Sequence, residues 1–210
     1  MRLVLRSLAL APALLVGLAT AAHAQGPQST GSFVGGRDTN WDVAVGAGAF
    51  VDAFQVVNNP GWNDFAGPTN ARWISYNASA TGPGGTPYTF RTTFDLTGYD
   101  PTTASLSFTC GMDNNVDGVF LNGVAVGGAS CQYHGLGAVQ TISAGYASGV
   151  NTLDFVISGD QVTDGFIYNT TGFSARALPT SSVPEPATYL MLATGLGAIG
   201  VIKRRRGARR

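Results

Sequence analysis

The chain contains no lysine and no glutamate between Gln25 and Ser182, and leucine is sparse there. These residues usually fill the exposed faces of helices, so this segment has little material for stable helices. Glycine, threonine, valine, phenylalanine, asparagine and aspartate take their place, a composition typical of short strands and tight turns. The segment is the size of one domain, and its composition predicts an all-β domain.

Buried and solvated positions alternate along several segments of this domain. The clearest is YTFRTTFDL at 88–96, where every second residue belongs to one face of a strand and that face is apolar apart from one threonine. The same alternation occurs at 104–110 and 153–157. Between them, Asn122 and Gly123 supply the two positive-φ positions of a tight hairpin turn. With no helical period and no fixed repeat, these segments predict an antiparallel β-sandwich.

The N terminus has the layout of an export signal. Two arginines precede an apolar stretch at 8–19, and Ala22 and Ala24 supply the small-x-small pattern that signal peptidase accepts before Gln25. The alternative is a transmembrane helix, but this stretch is short for a bilayer and a proline interrupts it. We therefore predict that residues 1–24 are a cleaved signal peptide, containing the N-terminal signal helix, and that the chain is exported.

The segment between the two termini is acidic, although the whole chain is formally neutral. Residues 25–182 contain four arginines and eleven aspartates, which gives a formal charge of −7. A surface of that sign repels phosphate backbones, so we expect no nucleic-acid partner.

The chain has two cysteines, Cys110 and Cys131. Cys110 ends one predicted strand and Cys131 follows the next hairpin, so chain reversal brings them near each other in an exported, oxidising setting. We predict a disulfide, which would stabilise the fold by about 3 kcal/mol on the chain-entropy model. The alternative is two separate buried thiols.

The domain contains few of the residues that catalysis usually needs. His134 is its only histidine and is expected in a surface loop, and the only glutamate of the chain, Glu185, lies outside the domain. No motif around His134 indicates a nucleophile, base and orienter in contact. We expect a non-catalytic protein.

Two runs of residues gather side-chain oxygens at the short spacing that calcium prefers. Asx turns that cap strands explain both runs as well, so cofactors are expected to be none unless a structural calcium binds there. The candidate ligands are Asp38, Asn40 and Asp42 in the first run and Asp113 and Asp117 in the second.

Aromatic side chains are candidates for stacking on a sugar ring. Trp41 and Trp73 stand in strand-like segments and are expected in the core, whereas Trp62 lies in a loop rich in asparagine, proline and glycine and is expected to be exposed. The candidate sugar-binding residues are Trp62, Tyr133, Asp113 and Asn114.

Five motifs follow one another through the domain: a Y-x-F-R-x-x-F strand, an A-x-L strand, an acidic loop, an L-N-G hairpin and a G-x-N-x-L strand. They stand at 88–94, 104–106, 113–115, 120–123 and 149–153. This order resembles the galactose-binding-like jelly roll, an accessory module of bacterial surface and carbohydrate-active proteins. The resemblance implies an antiparallel jelly-roll β-sandwich over residues 25–180, in a family that often holds a structural calcium.

The C-terminal segment, 181–210, combines a proline-flanked glutamate, an apolar run at about 187–202 and a basic tail at 203–210. As a hydrophobic helix the run would reach about 24 Å, slightly less than the ~30 Å hydrocarbon core. The arginines beyond it should stay in the cytoplasm and leave the domain outside. The motif residues are Val183, Pro184, Glu185, Pro186 and Ala187, and the basic stop is Lys203, Arg204, Arg205 and Arg206.

This layout is similar to the PEP-CTERM sorting signal of Gram-negative, polysaccharide-producing bacteria. The resemblance implies export, a precursor held in the membrane by its C-terminal helix, and processing by an exosortase at or near 184–186. The alternative is a plain C-terminal anchor that is never cut. We expect a cell-surface or matrix protein that binds extracellular polysaccharide or, as the alternative, a structural or adhesive protein that contacts other proteins and has no sugar site.

Overall fold

The computed structural model of the chain describes residues 24–57, 59, 61–63, 70–81, 84–159, 163–179, 190–196 and 204. Twelve strands are assigned among these residues, and one compact unit ends at Ala177. The strands are β1 (Phe33–Val34), β2 (Arg37–Val45), β3 (Val51–Gln55), β4 (Ile74–Ser75), β5 (Tyr88–Asp95), β6 (Tyr99–Asp113), β7 (Asn115–Leu121), β8 (Val124–Ala125), β9 (Gln132–Tyr133), β10 (Gln140–Ile142), β11 (Val150–Ser158) and β12 (Gly165–Ala177).

Hydrogen bonds link these strands in the order β10-β6-β12-β4-β3-β2-β5-β11-β7-β8, with β1 added to β2 and β9 added to β6. The described pairs are antiparallel except for β6 with β9, which is parallel. The longest ladder joins β6 to β12 from Asp113 opposite Gly165 to Tyr99 opposite Ala177. It places the end of β6 beside the start of β12, where the candidate site lies.

This path of strands turns back on itself, and its two halves enclose the core. Phe155 of β11 lies 4.8 Å from Phe166 of β12, measured between ring centroids, and Phe90 of β5 lies 5.2 Å from the same ring. In the hydrogen-bonded order three strands stand between β12 and β5. Rings on strands so far apart meet only when the two halves face each other, so the fold is a β-sandwich with an aromatic core.

The strand predictions are confirmed in their details. Along β5 the side chains predicted to be dry are buried at every second position, and Leu96 just beyond the strand is also buried. Asn122 and Gly123 have φ values of 53° and 77°, as the tight turn between β7 and β8 requires. Trp41 and Trp73 are core residues, as expected. The all-β sandwich is thus confirmed, whereas the jelly-roll topology stays a prediction.

The predicted disulfide is present. Cys110 of β6 and Cys131, immediately before β9, are bonded, with their Cα atoms 4.8 Å apart. The bond ties the loop between β8 and β10 to the C-terminal part of the β6 strand. That loop carries β9 and therefore Tyr133 and His134.

The chain termini are described only in part. Ala24 is half-buried and Gln25 is exposed, while Ala22, the motif residues 183–187 and the basic residues other than Arg204 lie outside the described residues. In the C-terminal unit, residues 190–196 are helical and so is Arg204. No helix within the described part of the chain is long and apolar enough to cross a bilayer.

Candidate functional site

Asp113 is the centre of a buried polar cluster at the end of β6. Its Oδ2 atom accepts a hydrogen bond from the indole Nε1 of Trp62 at 2.7 Å and lies 3.2 Å from the Nε2 atom of His134. The hydroxyl of Thr163 lies 3.4 Å from the same oxygen. These partners are distant from Asp113 in the chain, so one buried carboxylate holds three separate loops together.

The local backbone explains how His134 reaches Asp113. The β9 strand runs parallel to β6, with Tyr133 opposite Met112. The amide of His134 donates to the carbonyl of Met112 at 3.0 Å, and the amide of Asn63 donates to the carbonyl of His134 at 3.2 Å. His134 has a φ of 60°, so the chain turns sharply there, and the amide of Gly137 then donates to the carbonyl of Cys110 in β6 at 3.1 Å. His134 does lie in a loop as predicted, but its ring is bound to the buried carboxylate.

The prediction that Trp62 is exposed is wrong, since only 6% of the residue is accessible. Its ring stacks on Trp73 with a centroid distance of 4.3 Å, and a side chain at Gly165 would collide with it. The indole N–H has a buried carboxylate as its partner, which removes the penalty for taking that donor out of water. Trp62 therefore packs behind the site and cannot serve as an open platform for a sugar.

A surface pocket of about 630 Å³ opens beside this cluster. Its lining includes Met112, Asn114, Asn115, Tyr133 and Ser158, and none of the described residues that line it is charged. The structure thus brings Tyr133 and Asn114 to one pocket, with Asp113 buried next to them. Of the four candidate sugar-binding residues, Tyr133 and Asn114 line the pocket, whereas Trp62 and Asp113 are buried behind it.

Tyr133 is the exposed aromatic residue of this pocket, with 53% of its surface accessible. One face of its ring stacks on the imidazole of His134 at a centroid distance of 3.5 Å. Because Asp113 holds His134 in place, the phenol ring has a rigid support. A flat, supported ring beside amide and hydroxyl groups can pack on an apolar face of a ligand while the polar groups bond to its rim.

The first acidic run has a different structure. Asp38 is buried, and its two carboxylate oxygens accept the backbone amides of Gly31 at 2.6 Å and Asn40 at 2.9 Å. Burial raises the pKa of Asp38, and the backbone hydrogen bonds oppose this change. Burial also raises the pKa of Asp42, with repulsion from Asp52 adding to it and Arg91 opposing it. Asp38 therefore closes a turn through its own backbone neighbourhood.

These contacts bear on the predicted calcium ligands. Asp38 and Asp113 accept hydrogen bonds from the groups named above, and Asp117 accepts one from the hydroxyl of Ser158 at 2.9 Å. Donor protons thus point at oxygens that a cation would need to approach. Across the described ranges, no group of three or more His, Cys, Asp or Glu residues is arranged to hold a metal ion. Calcium binding at either run stays a prediction.

A polar pair that the sequence reasoning missed lies on the outer face of the sandwich. Arg91 of β5 donates to both oxygens of Asp154 of β11 at 2.7 Å, and the aromatic ring of Phe50 lies 4.1 Å from its guanidinium carbon. The two residues stand directly opposite each other in the strand register. The sequence pattern indicated that both residues lie on the outer faces of predicted strands. It did not indicate that those two strands pair with each other.

The C-terminal segment has one match among known families. The model of the PEP-CTERM protein-sorting motif matches residues 182–206. No curated protein and no solved structure matches the chain. The chain therefore carries a PEP-CTERM protein-sorting motif at its C-terminal end, and this motif supports an exported surface protein that is made as a membrane-anchored precursor and processed by an exosortase.

Proposed function

We propose that this protein is a non-catalytic, exosortase-sorted surface protein whose β-sandwich binds an extracellular polysaccharide at the pocket beside Tyr133. The sorting motif supports the destination. The exposed ring of Tyr133, stacked on His134 at the rim of a pocket lined by amides and a hydroxyl, is the observation that carries the binding. The apolar face of a pyranose would pack on this ring while its hydroxyl groups bond to the rim.

Charge narrows the class of ligand. The domain segment carries a formal charge of −7, and the described residues that line the pocket supply no cation to pair with a sugar carboxylate or sulfate. Anionic polymers are repelled by such a surface at low ionic strength. We therefore propose a neutral polysaccharide as the ligand.

The polar cluster beside the pocket supports binding over catalysis. Asp113 and His134 are bonded to each other, and Asp113 also accepts the Trp62 indole, so both groups are committed to holding the pocket wall. Neither belongs to the lining of the pocket. In this proposal they are positioning residues for Tyr133, and no bond of the sugar is broken.

A glycan array followed by affinity gel electrophoresis tests the binding site. The purified chain should be retarded by at least one neutral polysaccharide, and the Tyr133→Ala variant should bind about tenfold more weakly because a ring stack worth about 1.4 kcal/mol is lost. Tyr133→Phe keeps the ring and should retain most of the affinity. Phe50→Ala removes another exposed aromatic ring, away from the pocket, and should bind like the native chain.

Two outcomes would overturn this proposal. If no glycan retards the native chain, the structural or adhesive alternative is favoured. If Phe50→Ala weakens binding as much as Tyr133→Ala, the pocket is not the site. Anionic polysaccharides bound as tightly as neutral ones would reject the proposed ligand class alone.

Processing is tested separately on the full chain. Replacing the Pro184-Glu185-Pro186 tripeptide by Ala-Gln-Ala should leave the protein uncut and membrane-bound, because the proposed recognition element is gone. Mass spectrometry of the surface fraction measures this. If native and variant chains both retain residues up to Arg210, the tail is a plain anchor.

A further inference from the structure

The segment that follows the predicted signal peptide is held along β12. The amide of Thr30 donates to the carbonyl of Tyr168 at 3.0 Å, and the amide of Tyr168 donates to the hydroxyl of Thr30 at 3.1 Å. The amide of Thr170 donates to the hydroxyl of Ser29 at 3.0 Å. Residues 26–30, which we call the N-terminal arm, are therefore part of the folded sandwich.

The N-terminal arm is fixed as far as its first residue, Gly26. This glycine is buried, and a side chain there would collide with the ring of Phe173. The side-chain amide of Gln28 donates to the carbonyl of Gly26 at 3.0 Å. Gln25, the residue before the arm, is exposed. The change from chain held by the sandwich to chain surrounded by water thus occurs at Gln25, where we predict that the mature protein begins.

We propose that Gln25, once signal cleavage makes it the N-terminal residue, is modified to pyroglutamate. The reaction takes place within this one residue: the lone pair of the α-amine attacks the side-chain carbonyl carbon, Cδ. The bond between the α-nitrogen and Cδ forms, and the bond between Cδ and Nε2 breaks. Nε2 takes one proton from the attacking amine and leaves as ammonia, so the step needs no oxidant, reductant or second substrate. The proposal rests on cleavage between Ala24 and Gln25 and does not depend on the polysaccharide site.

Two features of the structure favour this modification. Because Gln25 is exposed, no packing prevents its side chain from folding back onto its own amine. Ala24, immediately before the new terminus, is half-buried against the hydrophobic core, so the terminus lies close to apolar surface. A charged α-ammonium is disfavoured beside such a surface, whereas the lactam of pyroglutamate carries no charge.

The modification has a consequence for a protein outside the cell. Chain termini are preferred sites of proteolysis unless they are tied down. The N-terminal arm is tied down from Gly26 onwards by its contacts with β12 and Phe173. Cyclised Gln25 would also lack the primary amine that aminopeptidases bind, so the mature N terminus would resist digestion from its end.

Mass spectrometry of the exported full chain tests the modification. Primary amines are labelled on the intact protein directly after its isolation, before digestion. In most molecules the N-terminal peptide should begin at residue 25, carry no label at its terminus and be lighter by one ammonia than its sequence requires. Gln25→Met is the matched control, because methionine has a similar length but no side-chain carbonyl carbon for the amine to attack. Its N-terminal peptide should be labelled and have the mass of its sequence.

Three results would overturn the proposal. A labelled amine on Gln25 of the native chain would show that cleavage occurs as predicted and that the residue stays open. A chain that begins at any other residue would show that Gln25 never becomes the N terminus. Loss of ammonia in the Gln25→Met chain as well would place the modification at another residue. None of these readouts involves a glycan, so they leave the test of polysaccharide binding unaffected.

Discussion

The turns around Asp38 and Asp113 are similar in sequence and different in structure. Each has an aspartate followed within a few residues by asparagine and a second aspartate. The buried carboxylate of Asp38 accepts backbone amides from Gly31 and Asn40, close to it in the chain. The buried carboxylate of Asp113 interacts with side chains that are remote in the chain, Trp62 and His134.

Asp38 thus stabilises the turn in which it lies, whereas Asp113 holds together loops that are distant in the chain. Asp38 satisfies local backbone donors, and its removal should disturb one turn. Asp113 orders the loop that carries His134, and His134 in turn supports the exposed ring of Tyr133. Long-range partners of a buried carboxylate thus mark the place where separate loops are brought together, even though both runs match the same composition.

The largest expected effect comes from the disulfide, because it ties one of the two turns and not the other. Replacing Cys110 and Cys131 together by alanine should lower the free energy of unfolding by about 3 kcal/mol, since the loop between them no longer restricts the unfolded chain. Urea denaturation measures this loss. Glycan affinity should fall as well, because the loop carrying Tyr133 loses its tie to β6.

Amide hydrogen exchange shows whether loss of the disulfide destabilises only the part of the fold near Asp113. The His134 amide, bonded to the Met112 carbonyl, should exchange faster in the double alanine variant under native conditions. The amides of Gly31 and Asn40 should keep their rates relative to global unfolding. Equal acceleration at both turns would contradict the view that the disulfide stabilises the Asp113 side selectively.

An intermediate effect is expected from removing each carboxylate. Asp113→Ala should lower the free energy of unfolding by about 2–3 kcal/mol, because it leaves the buried indole N–H of Trp62 without a hydrogen-bond acceptor and removes the partner of His134. Asp38→Ala should lower it by about 1–2 kcal/mol, because only nearby backbone amides lose their acceptor. Thermal or urea unfolding compares the two variants. Adding Trp62→Phe to Asp113→Ala should recover part of the loss, since the stranded donor is then gone.

A larger cost for Asp38→Ala would reverse the comparison. Absence of any recovery in the Trp62→Phe background would show that the Trp62 bond contributes nothing measurable. Trp62→Phe alone is the control, because it reports how much the smaller ring loses against Trp73.

Much of the fold was predictable because local sequence determines it. The alternation along β5 and the Asn122-Gly123 turn depend on neighbouring residues, and both have the predicted form. The disulfide was predictable because the pairing of two cysteines needs only proximity and an oxidising compartment. The sorting motif is likewise a local pattern, matched at 182–206.

The candidate site was less predictable because long-range contacts create it. Trp62 was expected to be exposed from its loop composition, yet a partner from a distant strand, Asp113, makes its burial favourable. His134 was assigned to a surface loop, and only the parallel pairing of β9 with β6 brings it to the same carboxylate. Tyr133 and Asn114 line one pocket, which nothing in the sequence indicated, and their role in sugar binding stays a prediction.

The smallest expected effect is the pH dependence of stability. It distinguishes an aspartate whose pKa is set by burial from one whose pKa is set by hydrogen bonds. The pKa of Asp38 is raised from 3.8 chiefly by burial, whereas the pKa of half-buried Asp100 is lowered, first by the Thr102 hydroxyl and then by Arg176. Folded Asp38 therefore binds its proton more tightly than unfolded Asp38, so its contribution to stability is full below pH 3.8 and is lost as pH rises through the raised value. Asp100 contributes above pH 3.8 and loses this contribution as pH falls. Carboxyl carbon NMR should place the titration midpoint of Asp38 above 3.8 and that of Asp100 below it. A midpoint for Asp38 below that of Asp100 would contradict this prediction, because it would mean that the backbone hydrogen bonds of Asp38 change its pKa more than burial does.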